Sequence, residues 1–322
     1  MTRHIAFERL HNFRDLGGYR AAGGRTVRWG RLFRSDSLGK LRGRDRERFL
    51  ALGIRTVIDL RYPWEIERSG RVPHHEGLAY HNLSTEHRPY DQAGLGPDVE
   101  PARFLADKYL EVAHDGVEEL RRALELIAGD SAPLVFHCHS GKDRTGLLAM
   151  LVLDLLGVHQ DDIVADFALT GLATERLVAE WHANYPDRTL SWPGYGRAPA
   201  EIMRLFMADL TARYGSVRGY AAERLAVDDA LVTALRGQLL TSEPTEGRQR
   251  PEAAARTPVP RPPPGDREHP PAPTSATPEE GWWPSPPPDA AGRLRADAGG
   301  MSANSAHTRV TVHPPTPSGG RG

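Results

Sequence analysis

The chain has one cysteine, Cys138, in 322 residues. One cysteine cannot form an internal disulfide, so nothing in the sequence indicates an oxidising compartment. Long apolar runs are also missing: no stretch approaches the roughly 18 apolar residues of a membrane span, and "MTRHIAFERLHNFRD" at the N-terminus lacks the apolar segment of a signal peptide. The sequence therefore predicts a cytoplasmic protein without an integral membrane segment, with secretion independent of a signal peptide left open.

A strong charge of either sign is missing as well. The formal net charge is −1, so no overall field favours nucleic acid or an anionic membrane, and we expect no nucleic-acid partner. Hydrophobic residues make up 39% of the chain and charged residues 26%, values typical of a globular protein with a sizeable core.

Composition changes sharply after Leu240, because 18 of the 27 prolines lie in residues 241–322. That stretch has few aliphatic residues and no helical or strand periodicity, so it cannot bury enough apolar surface to offset the entropy of ordering. We interpret 1–240 as one folded domain and 241–322 as a disordered Pro-rich tail. Its proline runs and Trp282–Trp283 could dock a partner in the polyproline II conformation, although a solvated extension is the simpler interpretation.

Segments typical of strands and helices alternate before Leu240. "GIRTVIDLR" (53–61) and "PLVFHC" (133–138) indicate buried strands, and "RTGLLAMLVLDLLG" (144–157) indicates a central helix. A capping box of Asp115 and Glu118 predicts the start of another helix, and further helices are expected over 161–183, 199–214 and 228–240. The fold class is α/β, with a largely parallel central sheet flanked by helices. Sites in such sheets lie beyond the carboxyl ends of the strands, where Asp59 and Cys138 fall.

The lone cysteine belongs to the segment "LVFHCHSGKDRTG" (134–146). Cys138 follows a strand and precedes a buried helix, so a thiolate there would face the positive end of the helix dipole and unpaired backbone N–H groups. We call residues 138–144 the Cys138 loop. Its members His139, Ser140, Gly141 and Lys142 are expected to turn their amides inward around an anion, with Gly141 at a positive φ.

Two more side chains complete the predicted site. Arg144 offers a planar fork to two phosphate oxygens, and Thr145 is expected to bond the sulfur of Cys138 through its hydroxyl. Such a set binds a tetrahedral dianion with a nucleophile beneath the phosphorus, as phosphoryl transfer to cysteine requires.

Three other interpretations of the segment are weaker. A structural cysteine does not explain the whole string His-Cys-x-x-Gly-x-x-Arg-Thr-Gly. A nucleotide P-loop is excluded because Phe136 replaces its first glycine and Asp143 replaces the Ser/Thr that would hold magnesium. A zinc site is excluded because one cysteine with two flanking histidines does not give a tetrahedral ligand set. We therefore expect no metal and no cofactor.

The segment "HCHSGKDRTG" resembles the signature of the cysteine-dependent protein tyrosine phosphatases, and its Lys-Asp-Arg core is similar to a bacterial branch with a secreted mycobacterial member. The resemblance runs from about Phe7 to Leu240. It implies a phosphatase-type α/β fold with a helical lid, and hydrolysis of phosphotyrosine, with phosphoserine, phosphothreonine and phosphoinositides as further substrates of some members. The other segments that agree are "NFRDLGGY" (12–19), "GRLFRSD" (30–36), "DLR" (59–61), "DDIVADF" (161–167) and "YGSVRGY" (214–220).

The resemblance also implies roles for single residues. Cys138 matches the nucleophile, Arg144 the phosphate-binding arginine and Asp143 the proposed general acid. Lys142 matches a lysine thought to favour phosphoinositides, and Asp59 an acidic residue that lines the pocket. The general acid stays open between Asp143 and Asp59, because the cations beside Asp143 favour its ionised form.

Agreement is weakest at the variable positions and the lid. His139 and Ser140 occupy variable positions of the signature, where they need not match the family and would tune substrate preference. Residues 182–203 are loop-like where the mycobacterial protein is more helical. Trp192-Pro193-Gly194 has glycine where animal tyrosine phosphatases carry an acid, and we treat that likeness as a coincidence. Other polar residues are interpreted structurally, as anchors of the N-terminal segment, of the loop, or of helix packing: Asn12, Arg14, Asp15, His137, Asp166 and Thr170.

These observations predict a metal-independent phosphatase that acts on phosphorylated proteins through a cysteinyl-phosphate. Two alternatives remain. One is a phosphoinositide phosphatase, which Lys142 and His139 beside the nucleophile would favour. The other is a phosphate-binding module without turnover, against which the intact Cys138, Asp143, Arg144 and Thr145 argue.

Overall fold

The computed structural model describes residues 3–129 and 133–241. The predicted tail therefore lies outside the described residues, except for Thr241. The backbone N–H of Thr241 donates to the carbonyl of Thr26 at 2.9 Å, which ties the last described residue to the N-terminal segment. None of the helices in this part of the chain is both long and apolar enough to cross a bilayer.

The described residues contain one five-stranded sheet, in the order β1-β2-β5-β3-β4. Strand β1 pairs antiparallel with β2, and the other neighbours are parallel. The residue pair Asp59 and His137 ends the β3–β5 ladder, so the chain leaves both strands at the same edge of the sheet. The strands are β1 (Arg14–Asp15), β2 (Leu32–Ser35), β3 (Thr56–Asp59), β4 (Ala79–Asn82) and β5 (Leu134–His137).

Helices cover both faces of this sheet. The longest are α3, α5 and α8, and α5 follows the central strand β5 directly after the Cys138 loop. In order they are α1 (Gly43–Ala51), α2 (Pro63–Ser69), α3 (Pro101–Asp115), α4 (Val117–Ala128), α5 (Asp143–Leu156), α6 (Gln160–Ala168), α7 (Thr174–Asn184), α8 (Ala200–Tyr214), α9 (Val217–Arg224) and α10 (Asp229–Leu239).

Alternation along the strands divides the core into two layers. Leu134 and Phe136 of β5 enter the larger layer, which α3, α4, α5, α8 and α10 cover, whereas Val135 enters the smaller layer together with Phe49 of α1. Successive strand residues point to opposite faces, so a strand with apolar residues at every position is buried on both sides. The α/β prediction with a largely parallel sheet is confirmed.

Two local predictions were wrong. Asp115 does not begin a helix but ends α3, and α4 starts after Gly116, where a Cβ would meet the carbonyl oxygen of Thr85. The single helix expected over 161–183 is two helices, α6 and α7, separated by the 3₁₀ turn Leu169–Ala173. Because the 3₁₀ turn ends α6, α7 is a separate helix, and it lies over the carboxyl edge of the sheet.

Candidate functional site

Cys138 lies directly after β5 and is 1% exposed. The loop then passes through Gly141, whose φ is +68°, before α5 begins at Asp143. A Cβ at Gly141 would meet the carbonyl oxygen of Ser35, so the position requires glycine for both its backbone angle and its close approach. The predicted positive φ is confirmed.

Side chains outside the Cys138 loop hold its backbone by donating hydrogen bonds to its carbonyl oxygens. The side-chain amide of Asn12 donates to the carbonyls of Ser140 and Gly141 at 3.1 and 3.0 Å. Arg34 Nη2 donates to the carbonyl of Gly141 at 2.8 Å. Within residues 3–129 and 133–241, the N–H groups of Ser140, Gly141 and Lys142 have no acceptor. These amides are available to an anion.

A buried ion cluster, which we call the outer cluster, supports those contacts. It consists of Arg14, Arg34 and Asp166, with Asp166 oxygens 3.1 Å from Arg14 Nε and 2.7 Å from Arg34 Nη1. Burial alone would raise the pKa of Asp166, but the two guanidinium groups lower it to about 2. Asp166, interpreted from sequence as a packing residue, instead fixes the arginine that holds the loop.

Arg144 belongs to a second cluster, the inner cluster, with Glu65 and Glu86. Both oxygens of Glu65 accept from the Nη atoms of Arg144, at 2.6 and 3.0 Å. Glu86 Oε2 lies 3.6 Å from Arg144 Nε. Burial raises the pKa of Glu86 to about 7, with Glu65 and Asp143 adding to the rise and Arg144 opposing it. Neither glutamate was predicted, because nothing in the sequence connects α2, which carries Glu65, or the segment after β4, which carries Glu86, to Arg144.

Asp143 is held by donors on both of its oxygens. The Tyr109 hydroxyl donates to Oδ1 at 2.7 Å, and the Gln92 amide donates to Oδ2 at 3.3 Å. Lys142 Nζ lies 3.4 Å from Oδ1 of Asp143 and 3.5 Å from Oε1 of Gln92. Lys142, which the resemblance links to phosphoinositides, is only 1% exposed, so its ammonium is buried beside Asp143.

Asp59 is placed away from these residues. It is fully buried and accepts from Arg61 Nε and Nη2 at 2.9 and 2.7 Å and from the Tyr80 hydroxyl at 2.9 Å. Burial raises the pKa of Asp59, but His137 and Arg61 lower it to about 2. The structure does not bring Asp59 into the cleft beside Asp143.

His139 and Thr145 differ from their predicted chemistry. Burial lowers the pKa of His139 to about 3, so its imidazole is neutral near pH 7 and adds no positive charge. The hydroxyl of Thr145 is buried without a hydrogen-bond partner in the described part of the chain, so the expected bond to the Cys138 sulfur is not formed. The carbonyl of His139 accepts from the Ser37 N–H at 2.9 Å and adds to the outer support of the loop.

A cleft of about 500 Å³, including its open mouth, lies over the Cys138 loop, and we call it the lid cleft. Its lid side is formed by α7 and by the segment that follows α7. Its lining residues are Gln92, His139, Ser140, Lys142, Asp143, Leu177, Glu180, Trp181, Tyr195 and Gly196.

Polar contacts attach the lid to the body. Lys40 Nζ lies 2.8 Å from Glu180 of α7. Trp192 Nε1 donates to the carbonyl of Val99 at 2.9 Å and anchors the segment after α7 beside α3. Helix α7 and the segment after it line the cleft, and Trp192 anchors that segment.

In the described part of the chain, no three His, Cys, Asp or Glu side chains lie together in a way that could hold a metal ion.

Residues 5–241 match the family described as "Tyrosine phosphatase family". A putative tyrosine-protein phosphatase of Cupriavidus necator is 34% identical over 74% of this chain and 89% of its own length. The triple specificity protein phosphatase PtpB of Mycobacterium tuberculosis is 28% identical over 71% of this chain and 96% of its own. A tyrosine-protein phosphatase of Nostoc commune is 28% identical over 58% of this chain and 67% of its own.

The family match covers the sheet, the Cys138 loop, both ion clusters and the lid. The chain belongs to the tyrosine phosphatase family and is a phosphatase enzyme.

Proposed function

We propose that this phosphatase removes phosphate from phosphotyrosine in proteins through a covalent intermediate on Cys138. The observation that carries the proposal is the way the Cys138 loop is held. Its carbonyls are tied outward by Ser37, Asn12 and Arg34, and its amides are left for the phosphate oxygens. Amide donors that are already fixed in place stabilise the charge on the phosphoryl group during its transfer, because they do not have to reorient.

In the first step the Cys138 sulfur attacks phosphorus, and the bond to the leaving oxygen breaks. Arg144 and the amides of Ser140, Gly141 and Lys142 hold the equatorial oxygens. Asp143 gives a proton to the leaving oxygen, and Tyr109 and Gln92 fix the direction of its carboxyl. In the second step water attacks the cysteinyl-phosphate, returns a proton to Asp143 and releases inorganic phosphate with the thiolate.

The lid cleft supports an aromatic substrate. Leu177, Trp181 and Tyr195 give it an apolar side opposite the polar loop, which suits the ring of phosphotyrosine. The phosphoinositide alternative is less supported, because the ammonium of Lys142 is buried and His139 is neutral. Neither side chain then presents an exposed positive charge to a second phosphate group.

The substitution Cys138→Ser tests the mechanism. We expect loss of turnover on p-nitrophenyl phosphate while the variant still binds sulfate, since the loop amides and Arg144 remain. Arg144→Ala should lose both turnover and sulfate binding. Turnover of Cys138→Ser within tenfold of the wild type would overturn the cysteine mechanism.

Substrate class is tested with the wild-type enzyme. Phosphotyrosine, phosphoserine and phosphothreonine peptides and a phosphoinositide are compared by kcat/KM, each with and without EDTA. We expect the phosphotyrosine peptide to be hydrolysed fastest and EDTA to have no effect. A faster phosphoinositide reaction would replace the proposed substrate, and the absence of turnover on all four would favour a binding module.

A further inference from the structure

Glu86 follows β4 and places a carboxyl beside Arg144 that the proposed mechanism does not use. Its Oε2 is 3.6 Å from Arg144 Nε, which is too far for a hydrogen bond, and its side chain is 13% exposed. Within the described residues its carboxyl accepts no hydrogen bond. Glu65, by contrast, bonds Arg144 through both oxygens. Glu86 is therefore a nearly buried carboxyl without the contacts that stabilise a carboxylate.

The free edge of Arg144 lies on the side of Glu86. Glu65 occupies one hydrogen of each Nη atom, so the edge formed by Nε and Nη2 remains for phosphate. A phosphate oxygen bonded to Nε would lie about 2.9 Å from that atom. Since Glu86 Oε2 is 3.6 Å from the same nitrogen, the two oxygens would be at most about 6.5 Å apart.

An ionised Glu86 would repel a bound phosphate at that distance. Glu65 already balances the single charge of Arg144, so an ionised Glu86 leaves the inner cluster with an excess negative charge before substrate arrives. A phosphate dianion beside it would meet a like charge among side chains that are mostly buried, and like charges at this range favour protonation of one partner.

We propose that Glu86 takes up one proton from solvent when the phosphate group of the substrate binds Arg144, and releases it when phosphate leaves. The proposal rests on Arg144 being the phosphate-binding residue of the proposed function. No covalent bond changes in this step: the proton passes from water to a carboxylate oxygen of Glu86, and the charge of the occupied site rises by one unit.

The groups around Glu86 support proton uptake by its carboxylate near neutral pH. Burial, Glu65 and Asp143 raise the pKa of Glu86 to about 7, and Arg144 and Lys108 oppose them. Lys142 is paired with Asp143 and does not contact Glu86. The neutral hydroxyls of tyrosines complete the surroundings, and burial raises the pKa of each of them above its usual value: Tyr62, Tyr90 and Tyr109.

The test uses the full-length Cys138→Ser variant, which has no thiol to titrate, and sulfate, a dianion that does not titrate near pH 7. We expect the sulfate Kd to rise by up to about tenfold per pH unit above pH 7, as uptake of one proton requires. Adding Glu86→Gln should make the Kd independent of pH and tighten binding at pH 8.5. Adding Glu118→Gln, an exposed carboxylate on α4, is the matched control and should leave the pH dependence unchanged.

The outcomes separate the two proposals. If Cys138→Ser does not bind sulfate at any pH, the Arg144 site of the proposed function fails. If it binds sulfate with a pH dependence that Glu86→Gln leaves intact, or with none, only the assignment to Glu86 is overturned. Should Glu86→Gln not fold, calorimetry of Cys138→Ser with sulfate at pH 8 in two buffers of different ionisation enthalpy decides: we expect close to one proton taken up, and a value near zero overturns the proposal.

Discussion

The outer and inner clusters flank the same loop and differ in the sign of their uncompensated charge. The outer cluster has two arginines for one carboxylate, Asp166, and its surplus positive charge lies under the carbonyl of Gly141. The inner cluster has one arginine, Arg144, for two carboxylates. The extra arginine of the outer cluster holds the loop backbone, whereas the extra carboxylate of the inner cluster, Glu86, has a pKa raised to about 7, so the charge of that cluster depends on pH.

Breaking the outer cluster should therefore affect folding first, and changes near Arg144 should affect binding and chemistry first. Asp59 and Asp143 show the same division. Asp59 is locked in a buried pair with Arg61, while Asp143 faces the lid cleft.

The largest effect should come from the general acid. Asp143→Asn should slow phenyl phosphate, which has a basic leaving group, by an extra ~10²–10⁴-fold relative to p-nitrophenyl phosphate, the usual contribution of acid catalysis. Asp59→Asn should show no such selectivity, because its carboxyl is enclosed by Arg61 and Tyr80. The ratio of kcat on the two substrates is the measurement. Selectivity in Asp59→Asn with equal slowing in Asp143→Asn would exchange the two roles.

The second effect is on stability. Asp166→Asn leaves Arg14 and Arg34 buried without their counter-ion, and breaking a buried pair from one side typically costs about 3–5 kcal/mol. Urea unfolding should show this loss. The matched variant Glu65→Gln should lose less, because Arg144 keeps Glu86 as a partner. Equal losses for the two variants would contradict the distinction between the clusters.

Much of the fold and the centre of the site could be predicted because their signals are local. Apolar strands before Asp59 and Cys138 place both residues at one edge of the sheet, and the spacing from Cys138 to Arg144 fixes the loop between strand and helix. Gly141 is required by a turn that its neighbours in sequence already define.

What could not be predicted depends on residues far apart in the chain. Glu65 lies on α2 and Glu86 lies after β4, each more than fifty residues before Arg144, and an isolated glutamate has no sequence pattern that identifies its partner. The burial of Lys142 could not be predicted either. Its ammonium lies 3.5 Å from Oε1 of Gln92, a residue 50 positions earlier in the chain.

The third effect is acid destabilisation. The pKa of Asp59 and the pKa of Asp166 are each about 2 in the folded state against 3.8 for an unperturbed aspartate. Because folding lowers both values, their contribution is complete above about pH 4 and is lost as pH falls through about 2. Each contributes about 2 kcal/mol by linkage. The free energy of unfolding measured from pH 5 to pH 2 should fall accordingly, and the fall should be smaller in Asp59→Asn. A flat profile over this range would show that these carboxylates are not stabilised as charged groups.

The smallest effect concerns the lid, whose contacts are more exposed than either cluster. Glu180 is 26% exposed and lies 2.8 Å from Lys40, and pairs of this kind are typically worth about 0.2–1 kcal/mol. Glu180→Gln should therefore change KM for a phosphotyrosine peptide by less than about fivefold, with kcat on p-nitrophenyl phosphate unchanged, because the loop and Arg144 are untouched. Since salt screens a partly exposed pair, the wild type in 1 M NaCl should approach the KM of the variant, and the variant itself should respond less to salt. A change in KM above tenfold, or a salt response that is the same in both proteins, would mean that Glu180 acts on the substrate directly rather than by holding α7 to Lys40.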